Sequence, residues 1–206
     1  MSTLKLNNLE VATGTTITSN SNLALASGKT LTGAAGSIIT PGMIIQTISG
    51  TFTGTTSKSG TSYSEIDSSL NLSITPKYAT SKLLYTGNIM LGAQDDVTAS
   101  IRINQNGVEY GSGASSGSRK TGHTGVGYYY LSTKSGSGQY YETFSCAIHH
   151  LTSSAIGTTS TITVKPEIIN SDTSGVSFYI NRSMNDDDSV WVGRFVSTFT
   201  VQEISQ

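Results

Sequence analysis

The sequence predicts an all-β protein: an extended β-structured arm or stalk over residues 1–42, then an antiparallel, jelly-roll-like β-sandwich over residues 43–206, assembled as a trimer. Three observations predict it. Apolar residues recur with period two, and no window sustains the i, i+3, i+4, i+7 spacing of an amphipathic helix. Clusters of Gly, Ser, Thr, Asn and Pro punctuate the alternating runs. Ser and Thr make up roughly 30% of the chain while charged residues are 12%, so the polar faces of the strands carry hydroxyls in place of charges.

The arm comes first. Residues 1–42 hold no aromatic side chain and three charged ones, Lys5, Glu10 and Lys29. Their apolar residues form short pairs, Leu4/Leu6, Leu9/Val11, Leu23/Leu25 and Ile38/Ile39, separated by turn-forming sets such as Asn7-Asn8 and Ser27-Gly28-Lys29. One copy buries too little apolar surface to offset backbone ordering, about 1–2 kcal/mol per residue. Either the arm is disordered, or sister chains wrap around one another and share a narrow core. Three short fragments enclose such a core where two leave half of it wet, which predicts a homotrimer.

Pro41-Gly42 marks the boundary. Beyond it the predicted strands lengthen: Met43–Phe52, Ile66–Ile74, Ser81–Leu91, Gln139–Leu151, Thr161–Ile169, Val176–Asn181 and Val190–Ile204. Val97–Tyr110 is the clearest hairpin, with Asn106-Gly107 supplying the positive φ angles of a primed turn. Gly54–Gly60 and residues 111–127 read as loops. Along the last strand Trp191, Gly193, Phe195, Ser197, Phe199 and Val201 share one face, which predicts that Trp191 and Phe195 are buried together, either in the core or against a neighbouring chain.

Function classes can be excluded from the same residues. A net charge of −1 and no block of Lys or Arg exclude a nucleic-acid binder. No apolar stretch reaches the 18–20 or so residues of a membrane span. The start of the chain lacks a secretory pattern, so assembly in the cytoplasm of the producing cell is expected. The single Cys146 lies between Phe144 and Ile148 in strand phase and reads as a small buried hydrophobe. His149 and His150 are strand neighbours facing opposite sides, unable to grip one metal ion together within a chain. His123 lies in a Gly/Ser-rich loop, where a surface role is expected. Asp186-Asp187-Asp188 reads as a solvated turn. Glu65, Glu109, Glu142, Glu167 and Glu203 are scattered, with no nucleophile, phosphate-loop or metalloprotease motif, so no catalytic residue, cofactor or metal is assigned and the chain is expected not to be an enzyme. Tyrosines cluster at Tyr128-Tyr129-Tyr130 and Tyr140-Tyr141 around a second hairpin-like unit. Tyr128, Tyr130, Tyr140 and His123 are the candidate receptor or interface contacts, with Tyr129 packing inward.

The opening Met-Ser-Thr-Leu-Lys-Leu-Asn-Asn-Leu, with Gly-Thr-Thr-Ile-Thr and Ser-Gly-Lys-Thr-Leu after it, resembles the N-termini of fibre-like virion proteins of marine and freshwater tailed bacteriophages, cyanophages included. The closing Asn-Arg-Ser, Asp-Asp-Asp-Ser-Val-Trp-Val-Gly-Arg and Ser-Thr-Phe-Thr-Val-Gln-Glu-Ile resemble the last strands of the same proteins. The resemblance implies a β-rich, often trimeric virion appendage that docks through its N-terminus on another virion protein and exposes its C-terminal domain. It transfers no catalytic residues. The expected role is a tail fibre or receptor-binding protein contacting a host-surface glycan or protein. A capsid decoration or head fibre protein is the alternative, and a capsule polysaccharide depolymerase the distant one.

Overall fold

The computed structural model describes residues 39–93, 97–128, 141–170 and 176–206, together with Ser27. Ile39–Gln206 form one compact unit. The expectations for the arm fall outside the described residues, apart from Ser27 and residues 39–42.

The described fold is all-β. Its strands are β1 (Ile44–Phe52), β2 (Thr56–Lys58), β3 (Ser64–Glu65), β4 (Leu72–Ile74), β5 (Lys82–Ala93), β6 (Val97–Gln105), β7 (Val108–Tyr110), β8 (Thr124–Tyr128), β9 (Thr143–Leu151), β10 (Ile162–Asn170), β11 (Phe178–Ile180) and β12 (Ser197–Ile204). They form two antiparallel sheets. In the first, the order is β1-β12-β5-β9, with β11 pairing the far end of β5 and carrying β2. In the second, β3 and β4 share one side of β10, β6 lies on the other, and β7 and β8 share the outer edge of β6. The eight principal strands pair from the outside of the chain inward: β1 with β12, β4 with β10, β5 with β9, β6 with β8. The chain therefore runs as one doubled-back ribbon folded into two layers.

Period-two alternation explains the core between the layers. Leu83, Tyr85, Ile89 and Leu91 of β5, beside Phe199 and Val201 of β12, face Ile101 and Ile103 of β6 and Val164 and Ile168 of β10 in one buried cluster. Fully burying each such side chain contributes about 1.5–3 kcal/mol. The layers also approach at both sides, where β1 lies against β4 and β8 lies against β9. Gly87 of β5 sits opposite Phe199, and a Cβ there would come within 2.4 Å of the Thr198 carbonyl oxygen. The Asn106-Gly107 turn has φ of 50° and 86°, as a primed hairpin turn demands.

The outer faces of the two sheets differ in chemistry. Across β1, β12, β5 and β9, three successive rows read Thr47–Gln202–Leu84–Leu151, Ser49–Thr200–Thr86–His149 and Thr51–Thr198–Asn88–Ala147. Their polar groups bond to each other, as in Ser49–Thr200 at 2.8 Å and Gln202–Thr47 at 3.1 Å. The outer face of the second sheet carries ions instead: Arg102 meets Glu167 at 2.7 Å and Glu109 at 3.5 Å, and Lys165 meets Glu167 at 3.2 Å.

Four expectations are corrected. Gly54–Gly60 contains a strand, β2, because β11 offers it a partner. Ile66–Ile74 is interrupted by a 3-10 turn at Ser68–Leu70, whose capping Asp67 side chain accepts from the Ser69 amide at 2.9 Å; Ile66, Leu70, Leu72 and Ile74 still reach the core. Residues 111–127 are not wholly a loop, since β8 starts at Thr124 on the free edge of β6. The last strand starts at Ser197, not Val190, and Trp191 is 75% exposed and Phe195 only partly buried, so the two are not paired in the core of the single chain. Among the described residues, the segment upstream of Ser197 is paired only through the Arg182–Arg194 bridge, with no full strand beside it to pack it inward.

Candidate recognition end

Between β11 and β12 the chain leaves the first sheet and returns. Asn181 makes the departure possible. It is fully buried with φ of 61°, a conformation that Asn tolerates better than other non-glycine residues. Its side-chain amide donates to the carbonyls of Phe52 at 2.7 Å and Gly54 at 2.9 Å, and its carbonyl oxygen accepts from Ser197 Oγ at 2.6 Å. Its backbone N–H donates to Met90 and its carbonyl accepts from Phe195, both at 2.9 Å. The exit and the return are thus tied at one residue.

Above that tie the excursion is braced by arginines. Arg182 and Arg194 face each other across an antiparallel bridge. The Arg194 guanidinium pairs with Asp186, and Arg182 reaches the same carboxylate at 3.8 Å. Arg182 also donates to the carbonyls of Ser183 and Met184, both at 3.1 Å, and its guanidinium lies 4.4 Å from the centroid of the Tyr179 ring. Asn185 donates to the hydroxyl of Tyr141 at 3.0 Å, joining the excursion to the β8–β9 connection.

The tip of this braced excursion is exposed. Val190 is 94% and Trp191 75% accessible, beside an open depression of about 330 Å³ lined by Asp186, Asp187, Asp188, Ser189, Val192 and Arg194. An indole ring held out by a fixed backbone presents a flat apolar surface that loses little conformational freedom on binding. The Asp run is therefore only partly a solvated turn, because Asp186 is committed to the arginines.

The tip lies at one end of the two-layer fold. β12 runs from Ser197 beside the excursion to Ile204 beside Ile44, about 25 Å away. At that other end residues 40–43 are tied to Ser205: Gly42 N–H donates to its carbonyl at 2.9 Å, Met43 N–H to its Oγ at 3.0 Å, and Ser205 N–H donates to the Met43 carbonyl at 2.9 Å. Exposed large hydrophobics among the described residues fall at the same two ends: Val190, Trp191 and Val196 at one, Ile39, Met43, Ile44, Tyr78, Val108 and Leu151 at the other.

Of the candidates read from sequence, Tyr130 and Tyr140 lie outside the described residues, as does Tyr129. Tyr128 closes β8 opposite Val97. His123 precedes β8, five residues back and about 17 Å along an extended chain, so the two do not share one spot. His123 joins the two layers. Its Nε2 accepts the His149 backbone N–H at 3.0 Å, which places the ring proton on Nδ1, donated to the Gly111 carbonyl at 2.9 Å. His150 stacks on Tyr85 with ring centroids 6.2 Å apart, and burial, helped by His123 and His149, holds its pKa below the usual imidazole value. Cys146 is buried, and burial raises its thiol pKa to about 11, far from a reactive thiolate. Among the described residues no three His, Cys, Asp or Glu side chains are grouped to hold a metal ion.

Sequence reasoning offered the core or a neighbouring chain as the cover for Trp191, and within the single chain the core is ruled out. The adjacent Asn181-Arg182-Ser183 and the Asp run were the available signal, since turn-forming and charged residues so close to a Trp argue against a continuous strand. No family model matches the chain, and no curated protein matches it.

Proposed function

We propose that the protein is a non-catalytic structural appendage of a tailed-phage virion, a tail fibre or receptor-binding protein that attaches through residues 1–42, assembles as a homotrimer and binds the host surface with the Trp191 end of its sandwich. The observation that carries this reading is the exposed Val190–Trp191 tip on an excursion locked by Asn181, Arg182 and Arg194. An excursion fixed at its base by these bonds while its Trp stays in solvent suits a contact surface. The outside-in pairing of the eight principal strands supports a jelly roll, an architecture used by virion and lectin domains. Separation of the tip from the Ile39–Ile44 end by the length of a strand suits an anchor at one end and a binding surface at the other. The polar side chains that could suggest chemistry, His123, Glu167 and Glu203, are engaged in bonds that hold the fold together.

Trp191→Ala is expected to leave the thermal melt within about 0.5 kcal/mol of the parent, as at other exposed positions. Adsorption to host cells is expected to fall at least tenfold, because a Trp anchor contributes about 2 kcal/mol or more. Unchanged adsorption would move the protein to the capsid, as a decoration or head fibre protein, and labelling it in virions by electron microscopy gives its position directly.

A further inference from the structure

We infer that the outer face of the β1-β12-β5-β9 sheet is where one copy of the chain packs against the next, an inference that rests on the trimeric reading and assigns it a surface. The three central rows of the face hold Ser, Thr, Asn, Gln, Ala, Leu and one His but no Asp, Glu, Lys or Arg. Charged side chains are instead concentrated on the outer face of the other sheet and in the excursion at Asp186. Depletion of charge from one face of an otherwise ordinary molecule is the compositional mark of an interface centre.

The lower margin of the face adds apolar area. Leu84 and Leu151 stand side by side in register, and one row below Ile44 pairs with Ile204, whose other neighbour is Lys82 at the rim of the face. Ile44 is 54% and Leu151 46% exposed in the single chain. The occupant follows from where the described chain starts. Thirty-eight residues precede Ile39, and the chain enters the fold beside Ile44, at the apolar margin of this face. If those residues join three copies, the three entry points are held near one axis, and the surfaces next to them meet first. The hydroxyl-lined, charge-free central rows meet a second copy without desolvating an ion, while Lys82 stays at the rim. The bonds from residues 42 and 43 to Ser205 keep the entry segment from fraying, so the margin is preorganised for that contact.

The test is sedimentation equilibrium on the full chain and on three variants. Thr198→Lys and Leu151→Lys place a charge at exposed positions on the face, and Thr98→Lys places the same charge on the outer side of β6 in the other sheet. The parent is expected to be a trimer. Each face variant is expected to raise the dissociation constant at least tenfold while keeping the parental far-ultraviolet spectrum, and Thr98→Lys to leave it unchanged. A trimer that all three variants leave intact overturns this interface but keeps the trimeric reading. Equal weakening by Thr98→Lys also overturns it. A monomeric parent overturns both.

Discussion

Replacing Glu203 by Ala is expected to destabilise the protein by about 4 kcal/mol. Glu203 continues the inward face of β12 after Phe199 and Val201 and is fully buried. Its carboxylate accepts the Lys77 backbone N–H with both oxygens at 3.0 Å, the Tyr78 N–H at 3.1 Å and Gln46 Nε2 at 2.6 Å. It therefore fastens the β4–β5 connection to the two strands beside it. Removal leaves two backbone donors and an amide without their acceptor, each costing about 1–3 kcal/mol if they stay buried. Glu203→Gln is expected to recover only part of the loss, because its NH2 faces donors. Burial pushes the Glu203 pKa up, but the hydrogen bonds from Lys77, Gln46 and Tyr78 outweigh it and hold the carboxyl below its usual value. A carboxyl depressed in the folded state contributes stability above its unfolded pKa, near 4.3, and loses it as pH falls through the folded value. Urea melts between pH 7 and pH 3 should show the parent losing stability below about pH 4, with a shallower decline in Glu203→Gln. A Glu203→Ala protein as stable as the parent at pH 7 would show that the buried bonds contribute nothing net.

That carboxylate also shows how far the fold could be read from sequence. Strands β1, β5, β6, β9 and β10 were legible because alternation of Ile, Leu, Val and Tyr against Ser, Thr and Asn is the physical condition for a sheet with one dry face. Glu203 was legible in principle, since it stands two residues beyond Val201 in the phase of the core. An acid at such a position must find buried donors. What alternation leaves open is whether a partner strand exists. Val190, Val192 and Val196 alternate as well as any segment of the chain, yet only Ser197–Ile204 is flanked by β1 and β5. Trp191 was misplaced for that reason. The short strands β2 and β3 were invisible because Thr56–Lys58 and Ser64–Glu65 have no apolar pattern; they form because β11 and β10 offer edges. The layer-joining role of His123 depends on β8 and β9 belonging to different sheets, which no local pattern encodes. Of the tyrosine cluster, Tyr141 is the member that the described residues connect to the recognition end.

Arg102→Met is expected to cost about 3–5 kcal/mol, and the double variant Arg102→Met/Glu167→Met to recover most of it. The reasoning starts from the register, which sets Glu65 beside Glu167 and Glu167 beside Arg102 on the outer face of the second sheet. Two neighbouring carboxylates on one face repel unless a cation intervenes. Glu167 is buried although it faces outward, and Arg102 donates to it through Nε at 2.8 Å while Nη2 lies 2.7 Å from the same oxygen. The Tyr63 ring lies 4.1 Å from the Arg102 guanidinium carbon, and Asn71 donates to Glu65 at 2.9 Å. The pair thus fixes the segment leading into β3 over the sheet. Burial raises the Glu167 pKa, but bonds from Asn104, Arg102 and Lys165 prevail and keep it lowered, so the carboxylate is ionised at neutral pH. Methionine fills much of the volume of the arginine stem but leaves that charge with Lys165 and Asn104 alone. Breaking a buried pair from one side typically costs 3–5 kcal/mol or so, whereas replacing both members by apolar residues is often close to neutral. Denaturant midpoints of the parent, the two single variants and the double variant close the cycle. The pairing is worth what is claimed only if Arg102→Met is far less stable than the double variant. If the two are equally destabilised, the loss comes from packing of the arginine stem against Tyr63, and the ion pair is not what holds that segment down.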